Sequence, residues 1–377
     1  MSRRPWATNP MAGSWAAPTL AAPALEFHQS IPGYSPTPLV AVPALAESLG
    51  AEQVWIKDES DRFGLPAFKV LGASWATNLA VSARAGRPPA RTFAELSATT
   101  ALLTRPAPLT VVTATDGNHG RALAHIARLL GLTARIYVPA GLPAGTLRAI
   151  GDEGAQVVET GQVYDEAVRI ANESCTDAEL LIQDTAWTGY EEVPRWIVAG
   201  YSTLFAEIDV QLGTSPGLVV VPTGVGSLLQ AAIEHYRASG RDGRTAILAV
   251  EPATAACVTA SLGAGKPVSV DTAAPTVMAG LNCGTVSSTA WPVIERGLDA
   301  GIGVSDAETM AALGVLQQHG LSVGPCGAAA LAGLQAAAGL SGGAQAVGLG
   351  PTTRAVLVST EGIQIDLGVP LTTNLKD

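Results

Sequence analysis

Lysine is nearly absent from this chain. Of 22 lysines and arginines in 377 residues, four are lysines, at 57, 69, 266 and 376, so positive charge is written almost wholly with arginine. The net charge of -10, with no run of Lys or Arg, argues against nucleic acid and anionic membrane surfaces as partners. Cysteine is equally scarce. Four cysteines, at 175, 257, 283 and 326, form no Cys-x-x-Cys, and the five histidines are scattered, so a metal site has little support. Cys257 and Cys283 can pair only if the fold brings them together; in a reducing compartment two small buried thiols are expected. No window is apolar for long enough to span a bilayer. Pro10, Pro18 and Pro23 interrupt the Ala-rich opening, which reads as a strap over the surface of a cytoplasmic protein rather than a signal peptide.

What is present points to a globular chain. At 47% hydrophobic and 14% charged residues it is long and apolar enough for two packed lobes. Residues 27–43 are Pro-rich and read as an extended loop leading to a strand. A short helix Pro43–Leu49 stops at Gly50, and strand Gln53–Lys57 follows. Residues 82–108, rich in Ala, Arg and Pro, mark a move between lobes. Strands Leu109–Thr115, Ala134–Val138, Gln156–Glu159 and Leu180–Gln183 then alternate with helices Arg121–Leu130, Pro143–Asp152 and Tyr164–Glu173. Such alternation means right-handed parallel units. A long helix, about 191–212, returns to the first lobe, where Leu218–Val221, Ser227–Ala238 and Ala246–Val250 continue the pattern. The expected fold is α/β, with two lobes, each a mostly parallel twisted sheet flanked by helices: 1–84 with 205–377, and 85–204.

Three stretches carry chemistry. In the first, Lys69 stands between Phe68 and Val70, an apolar setting that lowers the pKa of its ammonium, and lysine alone offers an amine able to form a Schiff base. A lysine snorkelling from the start of a helix is the competing reading. The second is Thr115-Asp116-Gly117-Asn118-His119-Gly120 at a strand-to-helix turn. Free N–H groups there suit a substrate carboxylate, and Asn118 can hydrogen-bond a ring hydroxyl. Asp116 is anomalous beside an anion pocket. Acid/base work, pairing with a second substrate ammonium, and a plain helix cap all account for it. The third is Val219–Ser227, a buried strand running into Thr223-Gly224-Val225-Gly226-Ser227. Backbone N–H groups with the hydroxyls of Thr223 and Ser227 can cradle a phosphate, and a tight turn with no ligand reads equally well. It lacks the third glycine of a dinucleotide fingerprint and the Gly-Lys-Ser/Thr of a P-loop. Together, a Schiff-base lysine, an anion pocket and a monophosphate loop specify pyridoxal phosphate.

These residues carry a resemblance to the fold type II pyridoxal-phosphate enzymes, and within them to the diaminopropionate ammonia-lyases. The matching segments are Pro-Gly-Tyr-x-Pro-Thr-Pro-Leu at 32–39, Arg-Phe-Gly-Leu-x-Ala-Phe-Lys-x-Leu-Gly at 62–72 and Thr-x-Thr-Asp-Gly-Asn-His-Gly at 113–120. Further matches at 183–200, 223–227, 251–257, 278–284 and 359–362 extend it over nearly the whole chain. Related dehydratases and synthases usually carry Ser or Thr where Asp116 stands.

The resemblance implies a homodimer with the cofactor in the cleft between the lobes. It implies that Lys69 holds the cofactor beside Phe68 and removes the α-proton of the L-isomer, and that Asp116 serves the D-isomer from the opposite face. Thr115, Asp116, Gly117, His119 and Asp184 would line the substrate pocket. Asn118 would meet the ring hydroxyl, Thr223, Gly224, Val225, Gly226 and Ser227 the phosphate, and Ser359 or Thr360 the ring nitrogen. The implied reaction is α,β-elimination of ammonia from 2,3-diaminopropionate, giving pyruvate and two ammonia. Three departures leave elimination or β-replacement on another β-substituted alanine open. They are Gly324–Ala328, where Cys326 replaces an acidic position, the apolar Ile363-Gln364-Ile365-Asp366, and Ala73 in place of glycine. A non-catalytic binding protein has no need of Lys69, Asp116, Asn118 and the phosphate loop together.

Overall fold

The computed structural model describes residues 4–17, 24–103, 108–239, 241 and 243–363. Taken in order, the first strands are β1 Trp6–Thr8, β2 Leu39–Ala41, β3 Gln53–Asp58, β4 Thr110–Ala114, β5 Thr133–Val138 and β6 Gln156–Glu159. The rest are β7 Glu179–Leu181, β8 Leu218–Pro222, β9 Ala246–Pro252, β10 Ala300–Val304 and β11 Arg354–Ser359. They form a seven-stranded sheet in the order β1-β10-β9-β8-β11-β3-β2 and a four-stranded sheet in the order β6-β5-β4-β7. The four-stranded sheet is wholly parallel. The larger one is parallel except at its edges, where β1 runs against β10 and β2 against β3. Strands β8, β9 and β10 are buried throughout. Their Val-, Leu-, Ile- and Ala-rich runs lack alternation because both faces are covered.

Helices Lys69–Arg84, Asn118–Leu130, Glu192–Leu212 and Ser227–Tyr236 contribute to one apolar core that also holds Val111 and Ile136 of the smaller sheet and Val219 and Val356 of the larger. Helix Pro325–Gly339 covers the other face of the larger sheet. The Lys69 and Glu192 helices cross at two glycines. A Cβ on Gly200 would run into the Leu71 carbonyl, and one on Gly72 would lie 2.6 Å from the Tyr201 ring.

Three elements differ from expectation. Residues Ala24–Gln29, including Phe27 and His28, are helical, because the proline-rich run begins only at Pro32 and Ala24, Phe27 and His28 are buried. A helix Phe93–Leu103 lies within the stretch read as a passage between lobes. The helix after the Asp116 turn starts at Asn118, not Arg121. Pro18, Pro23 and Gln364–Asp366 lie outside the described residues. Among the described residues no helix is long and apolar enough to cross a membrane, and no cluster of three His, Cys, Asp or Glu could hold a metal ion.

Strands β3, β4, β7, β8 and β11 end at Asp58, Ala114, Leu181, Pro222 and Ser359. In parallel α/β sheets the carboxyl ends of strands frame the ligand crevice. The loops leaving these five ends carry Lys69, Asp116, Asp184, Thr223 and Thr360.

Candidate active site

Lys69 opens its helix directly after a loop that the chain fastens firmly. Arg62 and Leu65 exchange backbone hydrogen bonds of 2.8 and 3.0 Å across a turn in which Phe63 and Gly64 take φ of 58° and 76°. The Lys69 Nζ donates to Asp184 Oδ2 at 2.8 Å and lies 5.9 Å from the Phe68 ring centroid. Burial alone would pull this ammonium down, as its apolar neighbours suggest. The Asp184 carboxylate outweighs burial and holds it well above the usual lysine range, a correction to the sequence expectation.

Asp184 follows β7 and is oriented by Gln183. The Gln183 amide oxygen accepts from Thr113 Oγ1 at 2.9 Å and from the Ala114 N–H at 2.8 Å, and its Nε2 donates to Asp184 Oδ1 at 3.3 Å. Burial opposes ionisation of Asp184, but Lys69 and then His119 prevail and hold its carboxyl at about 2. His119 Nε2 is bonded to the Ile182 carbonyl at 2.8 Å, and its Nδ1 lies 3.9 Å from Asp184 Oδ2.

The Asp116 turn is shaped by Gly117, whose φ of 151° favours glycine, and by Gly120, where a Cβ would lie 2.7 Å from Ile136 Cγ2. Thr115 Oγ1 accepts from the N–H groups of Gly117 at 3.0 Å and Gly120 at 3.1 Å. Those two donors, expected to be free for an anion, are engaged within the turn. Asp116 opens onto the cavity. The crowding walls raise its carboxyl more than nearby Lys69 lowers it. Asn118 Nδ2 donates to Glu361 Oε2 at 3.1 Å, joining the smaller sheet's turn to the end of β11. Burial also pushes the Glu361 carboxyl up.

The third segment lies opposite. The Thr223 N–H donates to the Val250 carbonyl at 2.8 Å and the Ser287 N–H to the Val225 carbonyl at 2.9 Å. Gly226 has φ of 101°, and a Cβ on Gly224 would stand 3.0 Å from Cys283 Sγ. The loop thus needs glycine both for its turn and for close approach.

One cavity of about 240 Å³ is lined by Lys69, Asp116, Asn118, Asp184, Thr223–Ser227 and Thr360. Phe68 also faces it. Thr115, Gly117, His119 and Ser359 stand behind or beside this wall: Gly117 borders a neighbouring groove, and Ser359 packs against Gly327. Sequence reasoning missed Tyr164, Tyr201, Asn282, Cys283 and Glu361, which line the cavity too. Asn282 and Cys283, in the matched segment 278–284, and Glu361, adjacent to Thr360 in another, carried a local signal; Tyr164 and Tyr201 carried none. Cys326, the departure noted at an acidic position, lines the cavity, and all four cysteines are free thiols, Cys257 and Cys283 included.

A pyridoxal-phosphate-dependent enzyme family model matches residues 31–351. The diaminopropionate ammonia-lyase of Salmonella typhimurium is 38% identical over 290 residues, covering 75% of this chain and 72% of the relative. Its Escherichia coli counterpart is 35% identical over 296 residues, or 78% and 73%. The crystal structure of the Escherichia coli enzyme in complex with an aminoacrylate-PLP azomethine reaction intermediate superposes with a TM-score of 0.83 at 29% identity, covering 96% of this chain and 94% of that one. The residues present fit the cofactor. Ser359 Oγ and Thr360 Oγ1 are buried hydroxyls with no hydrogen-bond partner among the described residues, as a ring nitrogen awaiting a donor requires. The glycine loop and Lys69 share their cavity. The chain belongs to the pyridoxal-phosphate-dependent enzymes of fold type II, in the family of the diaminopropionate ammonia-lyases.

Proposed function

We propose that this enzyme eliminates the β-amino group of 2,3-diaminopropionate, releasing pyruvate and two ammonia. Lys69 would hold the cofactor covalently, Asn118 would meet its ring hydroxyl, Thr223–Ser227 its phosphate, and Ser359 or Thr360 its ring nitrogen. When bound, the cofactor supplies the electron sink that makes the substrate α-proton labile, moderated here by a hydroxyl rather than a carboxylate at the ring nitrogen, which favours elimination over amino transfer. Lys69 takes the α-proton of the L-isomer at Nζ, and Asp116 that of the D-isomer from the other face. Asp184, ionised at all working pH, orients Nζ. His119, Thr115 and Gly117 shape the turn that receives the substrate carboxylate.

The observation that carries the reading is charge balance. Asp116, Asp184 and Glu361 share the cavity with one lysine. An excess of carboxyl groups suits a substrate with a second ammonium, and that ammonium bound beside Asp116 favours its ionised form. A β-ammonium departs as neutral ammonia, whereas the hydroxyl of serine or threonine needs a proton donor to leave. Pyruvate release from D- and L-2,3-diaminopropionate, with L-serine and L-threonine alongside, tests this. Faster pyruvate from the diamine supports the reading. Faster release from serine moves the enzyme to the dehydratases, and cofactor colour without pyruvate from any of these moves it to another β-substituted alanine, by elimination or by β-replacement. The reading includes a cytoplasmic homodimer with lobes 1–84 plus 205–377 and 85–204. A single-chain mass in light scattering would refute the dimer.

A further inference from the structure

The cavity wall holds a hydroxyl to which no task has been assigned. Tyr201, on the Glu192–Leu212 helix, is 1% exposed and lines the cavity, and its hydroxyl is buried with no hydrogen-bond partner among the described residues. A buried hydroxyl left unpaired destabilises the fold, and at the wall of a cavity a bound ligand can supply its partner. The ring is placed with care. It meets Phe68 edge-on, with centroids 4.8 Å apart and planes at 65°. It also fills the space that a side chain at residue 72 would need. Gly72 and Gly200 let two helices close until the phenol lies beneath the first turn of the Lys69 helix.

The phosphate loop, meanwhile, lacks one donor expected of it. Thr223 Oγ1 donates to the Val221 carbonyl at 2.9 Å, so its proton is engaged inside the loop, against the expectation that it faces a phosphate. Lys69, the only Lys or Arg among the cavity-lining residues, is paired with Asp184. The Glu192 helix packs against the Ser227 helix, at whose N-terminus the loop ends, as well as against the Lys69 helix. Burial keeps the Tyr201 phenol protonated, and hence a donor, across the working pH range.

We propose that the Tyr201 hydroxyl donates a hydrogen bond to the cofactor phosphate, supplying the donor that Thr223 withholds. The inference rests on reading Thr223–Ser227 as the phosphate loop. Tyr201→Phe in the full chain tests it, with three measurements: the melting temperature of the cofactor-free protein, and the affinities for pyridoxal phosphate and for pyridoxal, which lacks the phosphate. The expected result is an unchanged or higher melting temperature, about tenfold weaker binding of pyridoxal phosphate, the size of one hydrogen bond to a charged group, and unchanged binding of pyridoxal. Equal losses for both aldehydes would overturn it and place the hydroxyl's partner at the Lys69 nitrogen or the ring. No change in either affinity, or a lower melting temperature without cofactor, would overturn it in favour of no ligand contact or an internal partner. Should the parent protein bind pyridoxal phosphate no more tightly than pyridoxal, the phosphate-loop reading itself fails. If the parent discriminates and the variant does so equally, only the assignment of Tyr201 falls.

Discussion

Two assemblies of charge, built on lysines twelve positions apart, behave in opposite ways. Lys57 is fully buried, and its Nζ donates to Glu207 Oε2 at 2.6 Å, the Thr37 carbonyl at 2.9 Å and Gln211 Oε1 at 3.0 Å. Arg62 binds Glu59 and Glu207 together, through contacts of 2.6 to 2.9 Å, and Glu207 also accepts from Tyr34 at 2.8 Å. Two cations and two carboxylates cancel, and water is excluded. In the cavity, Lys69 is 30% exposed along its side chain and donates to Asp184, with Asp116 and Glu361 in excess. Hydroxyls there await partners. A saturated, neutral cluster fixes geometry; an unsaturated, unbalanced one is left ready for a ligand.

The sharpest way to break this contrast is to delete each lysine. On the proposed reading, Lys69→Ala should lose the cofactor's absorbance band and on the order of 10⁴-fold in pyruvate release, since both the covalent anchor and a base would go. Without cofactor it should lose about 2 kcal/mol of stability, the size of the lost Asp184 pair, and no more. A variant that keeps turnover within tenfold would remove Lys69 from the chemistry. Glu207→Gln should do the reverse, destabilising the cofactor-free protein by about 3–5 kcal/mol in urea unfolding, because Lys57 and Arg62 remain buried with half their compensation. If Asp184→Asn costs as much stability as Glu207→Gln, the division into a structural and a functional cluster collapses.

Asp116→Asn comes next. Turnover of the D-isomer should fall about 100-fold while the L-isomer, served by Lys69, keeps most of its rate. Equal losses for both isomers would mean that Asp116 binds substrate and does not act as a base. This residue also illustrates what was legible in the sequence. The parallel α/β class, the cofactor and the three segments of the cavity could be read because each is a consecutive run in which residue type and turn geometry coincide. What could not be read is what meets across the fold. Asp184 lies 115 positions from Lys69 and reverses its expected shift in pKa. Thr115 and Thr223 turn their hydroxyls inward, onto backbone groups two to five residues away, a rotamer choice with no signature in composition. Arg62 was read only as part of a matching segment, because Glu207, its partner, lies on a distant helix whose periodicity marks the position as buried but not as charged.

The smallest expected effect is in acid, and its sign follows from the Asp184 shift. Its carboxyl is held at about 2 in the folded chain, below the ordinary value near 3.9 of an unfolded aspartate. A depressed carboxyl contributes stability that is complete above the unfolded value and is lost as pH falls through the folded one, here between about pH 4 and pH 2. The shift corresponds to roughly 2 kcal/mol, the Lys69 pair being largely shielded from solvent. Asp184→Asn should therefore be less stable than the parent at neutral pH, and the gap should close between pH 4 and 2 in urea titrations of the cofactor-free protein. Glu207, also held below the usual carboxylate range, titrates in both proteins alike and cancels in the comparison. Lys69 is charged throughout this range, so the closing gap reports Asp184 alone. A gap that stays constant to pH 2 would mean that Lys69 and Asp184 are not paired in the cofactor-free enzyme, and the readiness ascribed to the cavity cluster would have to be sought elsewhere in its wall.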